Sequence, residues 1–396
     1  MVSINLLALT STFALAVRAQ ACTLPPLDLP TKTTFRLPDP FTLYDGQRVT
    51  TLAEWGCKQL EIRELFQRKQ LGMIPGKPSS VQGSASENGD TITVNVRDGD
   101  KSISFAASIR YPSSATSPVP AIIALGGSNI PISNDIALIT FNNEDIAAGS
   151  SVEDRGRGKF YELYGFDHPA GALSAWAWGV SRLIDALEST PSIQSRIDLK
   201  KLGVTGCWRN GIGAFIAGAF ESRIALTIPQ ESGGGGSACW RLSEGLHNSG
   251  PFSPTASQVD NSGAWFSPNF KQYVGRVNDL PFDHHFLAAL VAPRGLLVIE
   301  HSSIDWLVPE STYGCMTAGR KVYKALGMES SMGFSQIGAH AHCQFPESQR
   351  SDLEAFILKF LHGDSAADTN IFKSDRSINF FVEWEWIKWS VPSLKN

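Results

Sequence analysis

The chain is short of charge: Asp, Glu, Lys and Arg make up 18% of its 396 residues, and the formal net charge is -4. With no basic surplus to neutralise phosphates, nucleic acid and anionic membrane are excluded as electrostatic partners. Beyond the amino terminus no apolar run approaches the roughly 20 residues of a membrane-spanning helix. No Asn-x-Ser/Thr acceptor is present, so N-glycosylation is not expected. Cys-x-x-Cys pairs are absent too, and the His-x-His of His340 and His342 has one adjacent Cys, so no metal site is expected.

What is present is a large apolar fraction, 42%, enough to bury a globular core. Met1 to Val17 is largely apolar, and the small-residue pattern at Val17-Arg18-Ala19 predicts cleavage before Gln20. A secretory signal over residues 1–19 and a secreted, extracellular mature chain follow. The cysteines, Cys22, Cys57, Cys207, Cys239, Cys315 and Cys343, are even in number, so disulfides are expected; six allow about 15 pairings, and spacing does not choose among them.

Thr91 to Arg97 and Ser102 to Tyr111 alternate apolar and polar residues across Asp98-Gly99-Asp100, a hairpin pattern. Short apolar runs at Ala121 to Leu125, Leu202 to Thr205, Ile224 to Pro229, Gly295 to His301 and Gly333 to Ile337 suit strands covered on both faces. Trp55 to Leu71, Gly171 to Leu187 and Gly213 to Phe220 carry helical spacing. Strands alternating with helices predict a mostly parallel sheet in a three-layer αβα sandwich. Ser249 to Pro268, rich in Gly, Pro and Ser, reads as a long surface loop able to line a cleft. No repeat or linker divides the chain, so residues 20–396 are expected to form one domain.

Val204-Thr205-Gly206-Cys207-Trp208-Arg209-Asn210-Gly211-Ile212-Gly213-Ala214 reads as a strand end, a glycine-flanked turn and a helix start, the elbow where an α/β-hydrolase holds its nucleophile. Here that residue is Trp208. An indole has one N–H donor and no ionisable oxygen or sulfur, so it cannot attack a carbonyl. Later strand ends add Gln230 and Glu231, then Asp305 and Trp306, then His340 and His342. The order of nucleophile position, acid and His is that of hydrolases of this fold. Gly126-Gly127-Ser128 also follows a strand but lacks the elbow pattern.

At these residues the chain resembles the fungal glucuronoyl esterases. Their elbow reads G-C-S-R-N-G-K-G-A, against Gly206-Cys207-Trp208-Arg209-Asn210-Gly211-Ile212-Gly213-Ala214. Lys159-Phe160-Tyr161, Ala175-Trp176-Ala177-Trp178-Gly179-Val180-Ser181-Arg182, Pro229-Gln230-Glu231-Ser232-Gly233, Leu280-Pro281-Phe282-Asp283-His284-His285 and His340-Ala341-His342-Cys343 are similar to further signature stretches, and the likeness runs from about Cys22 to the carboxyl terminus. The resemblance implies cleavage of the ester between 4-O-methyl-D-glucuronic acid on xylan and a lignin alcohol, without a cofactor and by a monomer. It implies His342 as general base, Glu231 as the acid that orients it, Arg209 as an oxyanion contact and Trp306 as a sugar-facing ring. It also implies the pairings Cys207 to Cys343, Cys22 to Cys57 and Cys239 to Cys315.

The departures are as specific as the matches. Ser becomes Trp208, the sugar-binding Lys becomes Ile212, and the positions of a Gln and a Glu that contact the sugar hold Pro254 and Ser262. Loss of a triad nucleophile lowers kcat by roughly 10⁶. A Trp in the elbow's unusual backbone stores about 1–3 kcal/mol, which gives the turn reason to relax. The expectation is an inactive or strongly impaired esterase. Two alternatives stand beside it: a non-catalytic binder of glucuronoxylan or lignin–carbohydrate fragments, and an active ester hydrolase with another nucleophile.

Overall fold

The computed structural model describes Cys22, Leu24 and residues 33–113 and 118–395. The secretory segment expected over 1–19 lies outside the described residues. Ten strands form one sheet: β1 (Ser80–Ala85), β2 (Thr91–Asp98), β3 (Lys101–Arg110), β4 (Val119–Leu125), β5 (Ala137–Phe141), β6 (Ile197–Cys207), β7 (Ile224–Gln230), β8 (Gly295–His301), β9 (Met332–Ile337) and β10 (Phe372–Ser374). Their spatial order is β1-β2-β3-β5-β4-β6-β7-β8-β9-β10. Pairing is antiparallel from β1 through β3 to β5 and parallel from β5 through β4 to β10.

The hairpin forms where alternation predicts it. Asp98 pairs with Lys101 around the two-residue turn Gly99-Asp100, and Val94 and Val96 lie opposite Phe105 and Ile103, all buried. In the central strands, neighbouring residues feed opposite cores, as strands buried on both faces require. Ile123, Leu125, Val204, Leu296 and Val298 join the larger core, under the helices Ala172–Glu188, Arg209–Phe220 and His285–Val291. Ile122, Leu226, Ile228, Leu297 and Ile299 join a smaller one, capped by Leu353, Phe356 and Leu361 on the helix Arg350–Ile357 and its continuation Leu358–His362. The result is the three-layer α/β-hydrolase sandwich. Strand order reverses between β4 and β6, the switch point at which open α/β sheets leave a crevice beyond the strand ends.

The helix read over Trp55 to Leu71 spans Leu52–Phe66 and runs on as a wider turn through Leu71; it starts one turn early because Thr51 and Glu54 form a reciprocal capping box. Ser249 to Pro268 departs from the surface loop expected. It carries the short helix Ala256–Asp260, also capping-boxed by Thr255 and Gln258, and Val259, Trp265 and Phe266 are buried.

Candidate active site

Trp208 caps the helix Arg209–Phe220 with φ 56° and ψ -125°, so the elbow has not relaxed. Positive φ with this ψ is a region that side chains avoid, and the surroundings impose it. The Trp208 N–H donates to Gln230 O at 3.0 Å and its carbonyl accepts from Ile212 N at 2.9 Å. The flanking glycines let the turn close: a Cβ on Gly206 would lie 2.4 Å from Asn210 O, and one on Gly211 2.4 Å from Gln230 O.

Glu231 follows β7, also at positive φ, 45°, and is anchored by its own N–H to Ile299 O at 2.7 Å. Its Oε2 accepts from His342 Nδ1 at 2.6 Å and from Cys343 N at 2.9 Å. With Nδ1–H donating, Nε2 is left as the acceptor. That nitrogen faces the Cys343 sulfur at 3.5 Å, and among the described residues no hydroxyl bonds to it. Cys343 is bridged to Cys207, with Cα atoms 5.8 Å apart, so the loop after β9 is clamped to the end of β6. Cys22–Cys57 and Cys239–Cys315 are the other bridges, the pairing the resemblance implies.

The neighbouring candidates are bonded elsewhere, although His340 Nδ1 also lies 3.9 Å from Glu231 Oε1. Both ring nitrogens of His340 face backbone carbonyls, Ala341 O at 3.0 Å and Ile337 O at 2.9 Å. Asp305 lies 3.4 Å from Arg376 Nη1. Ser128 Oγ donates to Ile130 O at 2.8 Å. Sequence reasoning missed Glu300, which lies on β8 behind Glu231. Its Oε1 accepts from Ser232 N at 2.9 Å, from the Ser232 and Ser237 hydroxyls and from Gly233 N. Burial outweighs these bonds and, with the like charge of Glu231, pushes its carboxyl up to about 7.

A cavity of about 300 Å³ opens beside the elbow. Trp208, Trp306, Trp265 and Phe252 supply its aromatic walls, and Pro254 and Ser262 border it, while Ile212, His342, Glu231 and Arg209 do not. Ile212, expected as a position facing the sugar, is instead 1% exposed; its Cδ1 lies 3.5 Å from where a Gly235 Cβ would be, beside Val259 and Phe266. An apolar side chain there joins the core, whereas a charged one would have to leave it. Arg209 lies with its guanidinium 4.9 Å from the Trp208 ring centre and its Nε 3.3 Å from Glu144 Oε1. The segment Ser249 to Pro268 lines the cleft as expected, but Trp265, Phe252 and Gln258 were not singled out within it; the Thr255–Gln258 capping pattern was the available signal.

Cys207, Glu231, His342 and Cys343 gather closely enough to suggest a metal site, but both sulfurs are spent in the disulfide, leaving one carboxylate and one imidazole. In the group of Cys239, Cys315 and His285 the sulfurs are likewise bridged, leaving a single imidazole.

A model of fungal glucuronyl esterases matches residues 94–327. The 4-O-methyl-glucuronoyl methylesterase of Hypocrea jecorina is 53% identical over 373 residues, covering 94% of this chain and 79% of that protein. Among solved structures, the glucuronoyl esterase catalytic domain from Hypocrea jecorina superposes with a TM-score of 0.89 at 53% identity, covering 94% of this chain and 100% of that one. A mutant glucuronoyl esterase from Sporotrichum thermophile, in complex with methyl 4-O-methyl-β-D-glucopyranuronate, gives 0.90 at 50% identity, covering 95% and 100%. With this fold, these bridges and such identity across nearly its whole length, the chain belongs to the fungal glucuronoyl esterase family.

Proposed function

We propose that this chain is a secreted family member in which ester cleavage is lost or strongly impaired, and whose cleft binds glucuronoxylan or lignin–carbohydrate ester fragments without turning them over. One observation carries the reading: Trp208 and Trp306 both line the cavity and both pack on the His342 ring, at centroid distances of 6.0 and 4.8 Å, while His342 itself does not line it. The residue placed to act as base thus faces two indoles, with 29% of its side chain still exposed. A general base must lie within hydrogen-bond reach of the proton it removes, and the nucleophile position offers no O–H or S–H.

The parts that would orient and activate a nucleophile remain assembled. Glu231 fixes the His342 tautomer, and the disulfide holds the histidine loop at the elbow. They act on no attacking atom. Binding is the activity left, and it has a parallel in the Sporotrichum thermophile relative, a mutant whose crystals hold the methyl ester. The apolar stretch with its small-residue cleavage pattern, read over residues 1–19, and three disulfides support secretion into an oxidising compartment.

The test is hydrolysis of the benzyl ester of 4-O-methyl-glucuronic acid by the parent and by His342→Ala. No turnover above background is expected from either. Robust turnover by the parent, abolished in His342→Ala, overturns the reading.

A further inference from the structure

The four aromatic side chains of the cavity are not matched by polar groups free to hold a sugar. Among the described residues no ionisable side chain lines it, and the nearby cation, Arg209, lies over the Trp208 ring and is paired with Glu144. The polar side chains that do line it are mostly engaged within the protein. Ser232 Oγ donates to Glu300 at 3.0 Å and accepts from Ser237 N at 3.1 Å, while Ser262 Oγ donates to Gln258 O at 3.0 Å. Gln258 Oε1 accepts from Thr255 N at 2.8 Å, and Trp265 Nε1 donates to Gly149 O at 2.7 Å. What remains among the described residues is a small set: the donors Gln258 Nε2 and the indole N–H groups of Trp208 and Trp306, and the spare acceptor lone pairs of Ser262 Oγ and Gln258 Oε1.

A pyranose brings several hydroxyls, each a donor that needs an acceptor once water is excluded. This cavity meets them with few side-chain acceptors among the described residues, none of them charged. It offers instead faces and edges of rings: Trp208 stands at 90° to Trp265 and 73° to Trp306, with centroids 6.3 Å apart in both pairs. A planar aromatic guest in such a corner can stack on one indole and meet another edge to face. The elbow holds Trp208 at φ 56° before any ligand arrives, so the indole's backbone is already ordered.

We propose that this cavity takes a neutral aromatic ring bearing one or two acceptor oxygens, such as an aryl alcohol with methoxyl groups, in preference to the sugar of a glucuronate. The assignment rests on the reading of the cleft as a binding site and names the end of the ester that it recognises.

The experiment is titration of the whole protein with 3,4-dimethoxybenzyl alcohol and with methyl 4-O-methyl-glucuronate, followed by tryptophan fluorescence and calorimetry. The aryl alcohol is expected to bind saturably, at least tenfold tighter than the methyl glucuronate. Phe252→Ala, a change at a side chain 66% exposed and so harmless to the core, should weaken it at least fivefold. Trp384→Ala, at an equally exposed aromatic side chain outside the cavity, should leave it unchanged. Tighter binding of the methyl glucuronate overturns this inference and leaves the saccharide-binding reading standing. Aryl binding that ignores Phe252→Ala, or falls equally in Trp384→Ala, overturns it as non-specific adhesion. Absence of saturable binding by both ligands overturns it together with the binding role. Hydrolysis of the benzyl ester counts against the loss of catalysis alone.

Discussion

Trp208 meets the imidazole of His342 edge to face, with ring centroids 6.0 Å apart and planes at 81°. In a serine hydrolase the residues at these two places pass a proton between them. Here they share only ring contact, worth about 0.5–1.5 kcal/mol in stability and nothing in proton transfer. The Cys207–Cys343 bridge keeps them adjacent, joining the residue before the one to the residue after the other.

Trp208→Ser places a hydroxyl at the elbow beside His342, yet little activity is expected to return, because the apolar Ile212 presents no donor to the sugar. Ile212→Lys alone should destabilise the fold, since it buries an ammonium beside Val259 and Phe266. In the double variant the space vacated by Trp208, one helical turn away, gives that ammonium access to the cavity. Its kcat/KM should exceed that of Trp208→Ser by about tenfold or more, a non-additive gain. Hydrolysis of the methyl ester of 4-O-methyl-glucuronic acid by parent, singles and double measures this; equal rates in Trp208→Ser and the double would refute the coupling.

Replacing Trp208 by Gly or Ala isolates the strain of the elbow. Both lose the same ring contacts, but only Gly accepts φ 56° without penalty. Trp208→Gly should be more stable than Trp208→Ala by about 1–3 kcal/mol, in the direction that the N-cap position also favours. Urea unfolding of the two variants decides it, and an Ala variant as stable as the Gly one contradicts the strain.

Removal of the Cys207–Cys343 bridge by paired Ala substitutions should cost about 2–5 kcal/mol, because the bridge closes a 136-residue separation. It should also free the His342 loop, seen as exchange broadening of the imidazole signals in NMR. Unchanged stability with a sharp, unshifted imidazole would show that Glu231 alone holds the loop.

Glu300 gives the fold a pH dependence. Its carboxyl, raised to about 7 by burial, holds a proton in the folded state that the unfolded chain releases near the ordinary 4.5. Between those values unfolding releases a proton, so stability falls as pH rises from 4.5 to 7, by something on the order of 3 kcal/mol. The penalty is absent below that window and complete above it. Glu300→Gln should flatten this slope and melt higher than the parent at pH 8. Thermal unfolding from pH 4 to 8 tests it, and parallel curves for parent and variant would disprove the assignment.

Much of the architecture was legible in local pattern. The alternation at Thr91 to Arg97 and the apolar runs of β4, β6, β7, β8 and β9 mark strands because a side-chain period of two, or burial on both faces, is written directly into residue order. β1 was not legible: Val81 and Ala85 are its only aliphatic residues, too few for a pattern. β5 pairs antiparallel to β3 and parallel to β4, a placement that depends on partners far along the chain.

At the site the sequence by itself determined chemistry. Trp208 excludes a hydroxyl nucleophile at that position in any conformation, since residue type alone fixes which atoms can ionise. Only the tertiary structure decided arrangement. Glu231 rather than Asp305 reaches His342 because the turn after β7 is held at positive φ while Asp305 is drawn to Arg376. Ile212 sinks into the core, and Trp265 and Phe252 join Trp208 and Trp306 around one cavity. Those outcomes depend on packing between segments far apart in the chain, where burial and shape, not local order, set which side chains meet.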